Sequence, residues 1–444
     1  MFKNYIKLAF KVMGRNRFYT FISLFGISFT LMILMVLTAF LDDQLGSHAP
    51  FDKADRISFL TRVVQRHMVT DTTLVVDSTL QNGVMVYDTV ENTNEVSRSV
   101  SMSDPSFKLL NEYLDDMPYV EKMTKYSTRH SFDIFLNSNK LTFSGIYNDA
   151  TYWEVFSFNF IEGGPYYADD VKNRLPKAVI SEDARLAYFG SGEKALGREV
   201  FVNQTNFEVV GVVESLSPSK QSLHADVYMP YTFMRPSVLK ENSLQGPFEG
   251  AFLLGDASEL PLFDDELRRM EEVIPLPNPD EYNKLELGSY DLVERFAFGM
   301  FYEEDKEDSM RVFILIFGGL MSLFILLPTL NLINVNVTRI MERSSEIGVR
   351  KAFGANTQHL LVQFLFENVI LTLIGGVLGC LMALGLIYLI NDSNILTDLT
   401  LKFNPTVFFY GFLVCLFFGV LSGLLPALRM SRLHVVSALK ENAA

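Results

Sequence analysis

Four long runs without a formal charge constrain this chain more than any other feature. Phe18–Leu41, Val312–Thr338, Asn368–Ile390 and Phe403–Leu428 each hold 23 or more residues with no Asp, Glu, Lys or Arg. A helix needs about 20 such residues to cross about 30 Å of hydrocarbon, and buried helices of soluble domains are usually shorter. Each run is therefore expected to be a transmembrane helix. The first is too long for the apolar region of a signal peptide and lacks a small-residue cleavage site, so it reads as a retained span. The predicted fold class is a multi-pass α-helical membrane protein with four transmembrane helices and a large α+β extracytoplasmic domain inserted between helices 1 and 2. The expected segments are an interfacial helix at 1–17, spans at 18–41, 311–338, 364–390 and 403–428, an outer domain at 42–310, a helical connector at 339–363, an outer loop at 391–402 and a tail at 429–444.

Charge orients these segments. Between Asp42 and Asp308 there are 24 Lys and Arg against 46 Asp and Glu, while the whole chain is only −14. The short flanks are basic: Lys3, Lys7, Lys11, Arg15 and Arg17 before the first run; Arg339, Arg343, Arg350 and Lys351 between the second and third; Arg429, Arg432 and Lys440 after the fourth. With four spans all three flanks fall on one side, and the positive-inside rule makes it the cytoplasm. Both termini are then cytoplasmic and the acidic region faces outward. At the start, Phe2, Ile6, Ala9, Phe10 and Met13 share one helical face and Lys3, Lys7 and Lys11 another. That pattern suits a helix lying in the membrane interface with lysines toward anionic headgroups.

The outer region reads as mixed α+β. Phe132–Leu136, Leu141–Tyr147 and Phe207–Val213 have strand composition. Ser106–Met117 is expected as a helix capped by Ser103 or Asp104, and Ser181–Phe189 as a short helix closed by Gly190. The stretch 69–103 fits either a long hairpin or a loop.

The sequence carries few groups arranged for chemistry. The two cysteines, Cys380 and Cys415, lie inside apolar runs, so the outer region has no disulfide framework. The six histidines show no ligand spacing, and no metal site or catalytic set is expected. "GSGEKALG" (Gly190–Gly197) lacks the spacing of a phosphate loop, which needs Lys followed by Ser or Thr directly after the second glycine; a turn is expected there. The acid runs Asp264-Asp265-Glu266 and Glu303-Glu304-Asp305 are expected to be solvated. An acidic outer region offers nothing to nucleic acid. Glu367 is expected to sit at the inner start of the third span, where a helix N-terminus favours negative charge. Asn331, Asn334 and Asn336 are expected near the inner end of the second span, with a kink at Pro328. Gly375, Gly379 and Ala383 form overlapping small-xxx-small patterns that permit close helix packing.

The most patterned charged segment is "SSEIGVRKAFGA", 344–355, between the second and third runs. Ser344 or Ser345 suits a helix cap, Glu346 suits the first turn and pairs four residues on with Arg350, and Gly354 suits the closing position. The expected result is a rigid basic helix of about ten residues tied to two spans, with the form of a handle for another protein.

The segment Arg343–Ala355 resembles the cytoplasmic signature of FtsX/MacB-type ABC-transporter permeases. "SGLLPALRMSRL" (Ser422–Leu433) with Ser437–Leu439 is similar to that family's ending, apart from Met430 and Val435 where a small residue and a proline are usual. "KAVISEDARLAYFG" (Lys177–Gly190), "ALGREV" (Ala195–Val200), "FEVVGVVE" (Phe207–Glu214) and "DVYMPY" (Asp226–Tyr231) resemble the MacB-like periplasmic core. The resemblance implies a subunit with no ATPase motifs and no cofactor of its own, whose 339–363 region couples to a separate ABC ATPase subunit that binds ATP and Mg. It assigns coupling to Glu346, Gly348, Arg350, Lys351, Gly354 and Ala355. It further implies a permease dimer in a bacterial inner membrane, in contact with lipids and with a periplasmic adaptor or other periplasmic protein, exporting a peptide, drug or lipoprotein. Two other readings share the topology. One is an FtsX-like complex that transmits force to a periplasmic enzyme or sensor without transport; the other is a non-energised receptor or scaffold.

Overall fold

The computed structural model describes residues 10–11, 13–15, 17–46, 48–81, 84–136, 139–217, 220, 222–301, 306–342, 357–392, 401 and 403–431. The long elements, in order, are α1 (Arg17–Leu45), β1 (Ile57–Gln81), β2 (Val84–Ser103), β3 (Val120–Ser127), β4 (His130–Leu136), β5 (Asn139–Asn148), β6 (Phe160–Gly163), β7 (Lys177–Ser181), α2 (Glu182–Phe189), β8 (Glu199–Val202), β9 (Thr205–Val213), β10 (Val227–Pro230), β11 (Phe248–Leu254), α3 (Leu260–Val273), β12 (Lys284–Tyr290), α4 (Leu292–Phe301), α5 (Lys306–Glu342), α6 (Thr357–Asp392) and α7 (Pro405–Ser431). Two compact units result: Ser47–Met310, and Met1–Gly46 together with Arg311–Ala444.

The Ser47–Met310 unit is built on one mixed sheet in the order β12-β1-β11-β3-β5-β10-β7-β9-β6, with β2 on β1, β4 on β5 and β8 on β9. Strand side chains alternate between faces, and here both faces are covered. On β11, Ala251 and Leu253 enter one core while Phe248, Phe252 and Leu254 enter the other. The first core is aromatic: Phe51, Phe59, Tyr126, Tyr152, Phe156 and Tyr228 are all buried there. The second is mainly aliphatic and takes Leu109, Leu110 and Leu114 together with α3 residues Phe263 and Leu267.

The stretch 69–103 is a hairpin: β1 and β2 pair antiparallel from Val63↔Ser103 to Gln81↔Val84. Its base is pinned by Gln245, whose amide donates to the Val63 and Ser101 carbonyls at 2.9 and 3.0 Å. The strands expected at 132–136, 141–147 and 207–213 form with slightly longer limits. So does the short helix α2, where Ser181 Oγ accepts from the Ala184 N–H at 3.1 Å and Gly190 closes the end at φ +94°. That positive φ is cheap only for glycine. The segment after Gly190 is a turn.

The helix expected over 106–117 differs. Its Leu109–Tyr113 turn is a π-helix, and its cap is Ser106, which accepts from the Leu109 N–H at 3.0 Å. Ser103 is unavailable because it ends the β2 ladder opposite Val63.

In the other unit, α1, α6 and α7 pack together. A Cβ built on Gly375 would lie 2.7 Å from Ile27 Cγ2, and one on Gly379 would lie 2.8 Å from Leu31 Cβ. Ala39 and Ile387 share a buried cluster further along. Each step along α1 is matched by an equal step in the same direction along α6, so the two helices run parallel. The small-residue pattern is thus the contact surface itself, since only glycine lets the backbones approach this closely. Helix α7 runs back the other way: Gly376 faces Phe412, whereas the Asn391 side-chain amide donates to the Leu401 carbonyl at 2.9 Å and accepts from the Leu401 N–H at 3.0 Å.

Among the described residues, three helical stretches are long and apolar enough to cross a membrane: Arg17–Leu45, Lys306–Leu326 and Leu365–Asp392. The fourth apolar run forms α7. Helix α6 begins ten residues before Glu367, because Thr357–Phe366 contains neither Gly nor Pro to stop it. Glu367 therefore sits well past the first turn and is buried, 5% exposed, beside the equally buried Asn368. The expectation of a cap-region acid is corrected accordingly, because the dipole effect is confined to the first turn.

Candidate functional site

The segment that sequence singles out for coupling lies outside the described residues. Glu346, Gly348, Arg350, Lys351, Gly354 and Ala355 all fall between the end of α5 at Glu342 and the start of α6 at Thr357. The surrounding geometry is described. Because α1 and α6 are parallel and α7 is antiparallel to both, the start of α1, the start of α6 and the end of α7 share one end of the packed helices. The opposite end holds the bond from Asn404 Nδ2 to Asp42 Oδ2 at 2.8 Å. Arg17 at the start of α1 and Arg429 in the last turn of α7 thus lie toward the first of these two ends.

The second site is a charged cluster in the Ser47–Met310 unit, centred on α4. This ten-residue helix starts with a reciprocal cap: Asp291 N–H donates to Glu294 Oε2 at 3.0 Å and Glu294 N–H donates to Asp291 Oδ1 at 2.7 Å. One turn in, Arg295 projects into the sheet. It donates to Glu249 Oε2 at 2.6 Å and to the Tyr126 hydroxyl at 3.2 Å, and its guanidinium stacks over the Phe59 ring at 4.7 Å. Both partners of the ion pair are largely buried, with side chains 17% and 12% exposed. Burial opposes the Arg295 charge, but Glu249 and Tyr126 outweigh it and hold the cation firmly protonated. Asp104 completes the cluster. Burial pushes its carboxyl up to about 6, Glu249 adds to the rise and Arg295 opposes it.

A second arginine fastens α4 from the opposite direction. Between Leu60 and Arg62 the β1–β12 register shifts, which re-aims the strand. Arg62, 7% exposed, then lies opposite Gly288 and over the α4 ring of Phe298 at 5.0 Å, while Phe298 stacks on Tyr290 at 4.9 Å. A Cβ on Gly288 would stand 2.9 Å from Arg62 Cβ and from the Tyr290 hydroxyl, so the glycine makes this crossing possible. Sequence reading did not reach this cluster. Its members are spread from Phe59 to Phe298, and no local motif marks them.

A membrane-helix unit joined to a two-cored α+β unit defines an integral membrane protein with a large extramembrane domain. The MacB-like periplasmic core domain family matches residues 20–268, and the FtsX-like permease C-terminal family matches residues 318–435. The chain belongs to the MacB/FtsX-type ABC transporter permeases, which are inner-membrane proteins with a periplasmic domain. Among curated relatives, the macrolide export ATP-binding/permease protein MacB of Acinetobacter baylyi is 27% identical over 334 residues, covering 73% of this chain and 46% of MacB. The uncharacterized ABC transporter permease YvrN of Bacillus subtilis is 26% identical over 325 residues, covering 73% of this chain and 76% of YvrN. The chain spans less than half the length of the ATP-binding/permease relatives it matches. Among solved structures, the periplasmic region of MacB from Actinobacillus actinomycetemcomitans is 18% identical with a TM-score of 0.33, covering 44% of this chain and 82% of that one.

Proposed function

We propose that this chain is the permease subunit of an ABC export system with four spans, in which a separate ATPase grips the 343–355 segment and nucleotide-driven closure moves the periplasmic domain to extrude a peptide, drug or lipoprotein. The observation that carries this is the helix arrangement. Parallel α1 and α6 with antiparallel α7 bring the start of α1, the start of α6 and the end of α7 to one end, and because basic flanks adjoin all three in sequence, the positive-inside rule makes that end cytoplasmic, where an ATPase binds. The roles of Glu346, Gly348, Arg350, Lys351, Gly354 and Ala355 as the gripped surface follow from the family. ATP and Mg belong to the ATPase, and two permease copies pair with two ATPase subunits.

The test is purification of the full chain from its own membranes after crosslinking through cysteines placed in 343–355. An ABC ATPase should be the captured protein. Arg350→Glu should lower its recovery about tenfold or more, since reversing one charge at a desolvated interface costs about 2 kcal/mol or more. Undiminished recovery and ATP turnover in that variant would refute the coupling role. Capture of the ATPase together with a periplasmic enzyme, and no export defect on depletion, would replace extrusion by force transmission.

A further inference from the structure

We infer that Lys306 is a positioning residue that fastens the head of α5 to the periplasmic domain, so that movement of this helix is delivered to α4 and from there to the sheet. The inference rests on the proposed coupling function.

Lys306 is the first residue of a helix that continues without interruption to Glu342. Its ammonium reaches three elements at once: Asp264 Oδ2 on α3 at 2.9 Å, Glu294 Oε2 on α4 at 3.4 Å and the Ser289 carbonyl on β12 at 3.4 Å. Each acceptor is itself fixed. Asp264 also accepts from the Ser289 hydroxyl at 2.6 Å, and Glu294 is half of the α4 cap. A pull on the helix head therefore arrives at the N-terminus of α4. One residue further on, Arg295 carries it to Glu249, Tyr126 and Phe59 in the sheet. The three donors of an ammonium suit this three-way junction better than the planar fork of an arginine, which favours one bidentate partner.

The junction is also built to open. Lys306 and Asp264 are each about one quarter exposed. With Arg62, Glu271, Glu286 and Tyr290 they line an open cleft of about 250 Å³. Ions that part there are met by water instead of being stranded in apolar surroundings, which keeps separation within reach of thermal motion. The cleft lets the contact act as a latch rather than as a fixed core element.

The experiment uses the full chain in lipid nanodiscs and hydrogen-exchange mass spectrometry, first alone and then with the co-purified ABC ATPase. In Lys306→Met, which keeps the aliphatic stem, exchange in peptides covering α4 and the first turns of α5 should rise about five- to tenfold, the opening expected on losing a half-buried ion pair. Lys306→Arg, which keeps the charge, should restore most of the protection. In the complex, trapped nucleotide should change exchange across α4 in the wild type and in Lys306→Arg but not in Lys306→Met, while ATP hydrolysis continues. A lysine with a merely structural role would lower the melting temperature and leave that nucleotide response in place. Unchanged exchange in Lys306→Met, or a surviving nucleotide response at α4, overturns the inference. If no ATPase co-purifies, the proposed function fails, and the first arm still decides whether Lys306 holds the helix head.

Discussion

Replacing Arg295 by Met is the sharpest perturbation of the periplasmic domain. Methionine keeps the packed stem and removes the cation. Glu249, 12% exposed on its side chain, is then left without its 2.6 Å partner. Removing one partner of a buried pair costs about 3–5 kcal/mol, and residual exposure puts this case near the lower end, about 3 kcal/mol. The lost stacking over Phe59 adds about 0.5–1 kcal/mol. For a domain of roughly 250 residues each kcal/mol lowers the melting temperature by about 2–4 °C, so a fall of about 7–16 °C is expected. The chain supplies its own reporter, since its single tryptophan, Trp153, packs in the aromatic core of this unit against Tyr228 at 5.4 Å. Intrinsic fluorescence melts of the full chain in detergent therefore follow the periplasmic domain and not the spans. The double variant Arg295→Met with Glu249→Met removes both charges and should recover at least half of the loss, because the dominant cost is the stranded carboxylate rather than the missing attraction. A fall of less than about 2 °C, or a double variant as unstable as the sum of the two single ones, would refute the reading of this pair as buried and mutually dependent.

Two further outcomes follow from the same geometry. Asp104 has its carboxyl raised from 3.8 to about 6 in the folded chain, chiefly by burial. The folded state thus holds the proton more tightly than the unfolded one, so its contribution is complete below pH 3.8 and is lost as pH rises through 6. Trp153 melts should accordingly come earlier at pH 7.5 than at pH 5.5, and Asp104→Asn should remove about 0.5 kcal/mol of that difference, the value expected after allowing for the group's partial exposure; an unchanged difference counts against it. In the spans, Gly379→Val should lower the aggregation temperature of the full chain, because its Cβ alone would lie 2.8 Å from Leu31 Cβ and 2.8 Å from the Ser28 carbonyl. Overpacking of this kind costs about 1–3 kcal/mol, whereas Gly385→Ala, with nothing within 4 Å of its Cβ, should be silent. Equal effects at the two positions would contradict the parallel packing of α1 on α6.

Features set by short-range chemistry were legible in the sequence. A helix bounded by Ser181 and Gly190 needs only a hydroxyl at one end and a residue that tolerates positive φ at the other, and both are local. The contact face of α6 was legible as Gly375 and Gly379 because helix–helix approach depends on side-chain size at a fixed spacing. Element limits were less so. The third span was expected to start at 364, set by the apolar run, yet a helix starts where a breaker or cap lets it, and neither Gly nor Pro lies between Thr357 and Glu367. The charged clusters were not legible. Asp264 belongs to an acid run expected to be solvated, and its neighbours Asp265 and Glu266 do pair only with nearby exposed arginines, Arg268 and Arg269. Asp264 itself faces inward to Ser289 and Lys306. Which carboxylate of a run turns inward is decided by helix phase against a sheet edge 20 residues away in sequence, and composition carries no record of that.

The placement of these charges bears on how such a domain could be driven. Apolar packing resists compression in every direction and is slow to rearrange, whereas a stacked or bonded arginine is short-ranged and directional. Helix α4 is held by one of each polarity of attachment: Arg295 reaches from the helix into the sheet, and Arg62 reaches from the sheet onto the helix. On the function proposed above, displacement of α4 reaches the sheet through both attachments, and the Arg295 contacts deliver it to the core strands β1, β3 and β11, on which Phe59, Tyr126 and Glu249 stand.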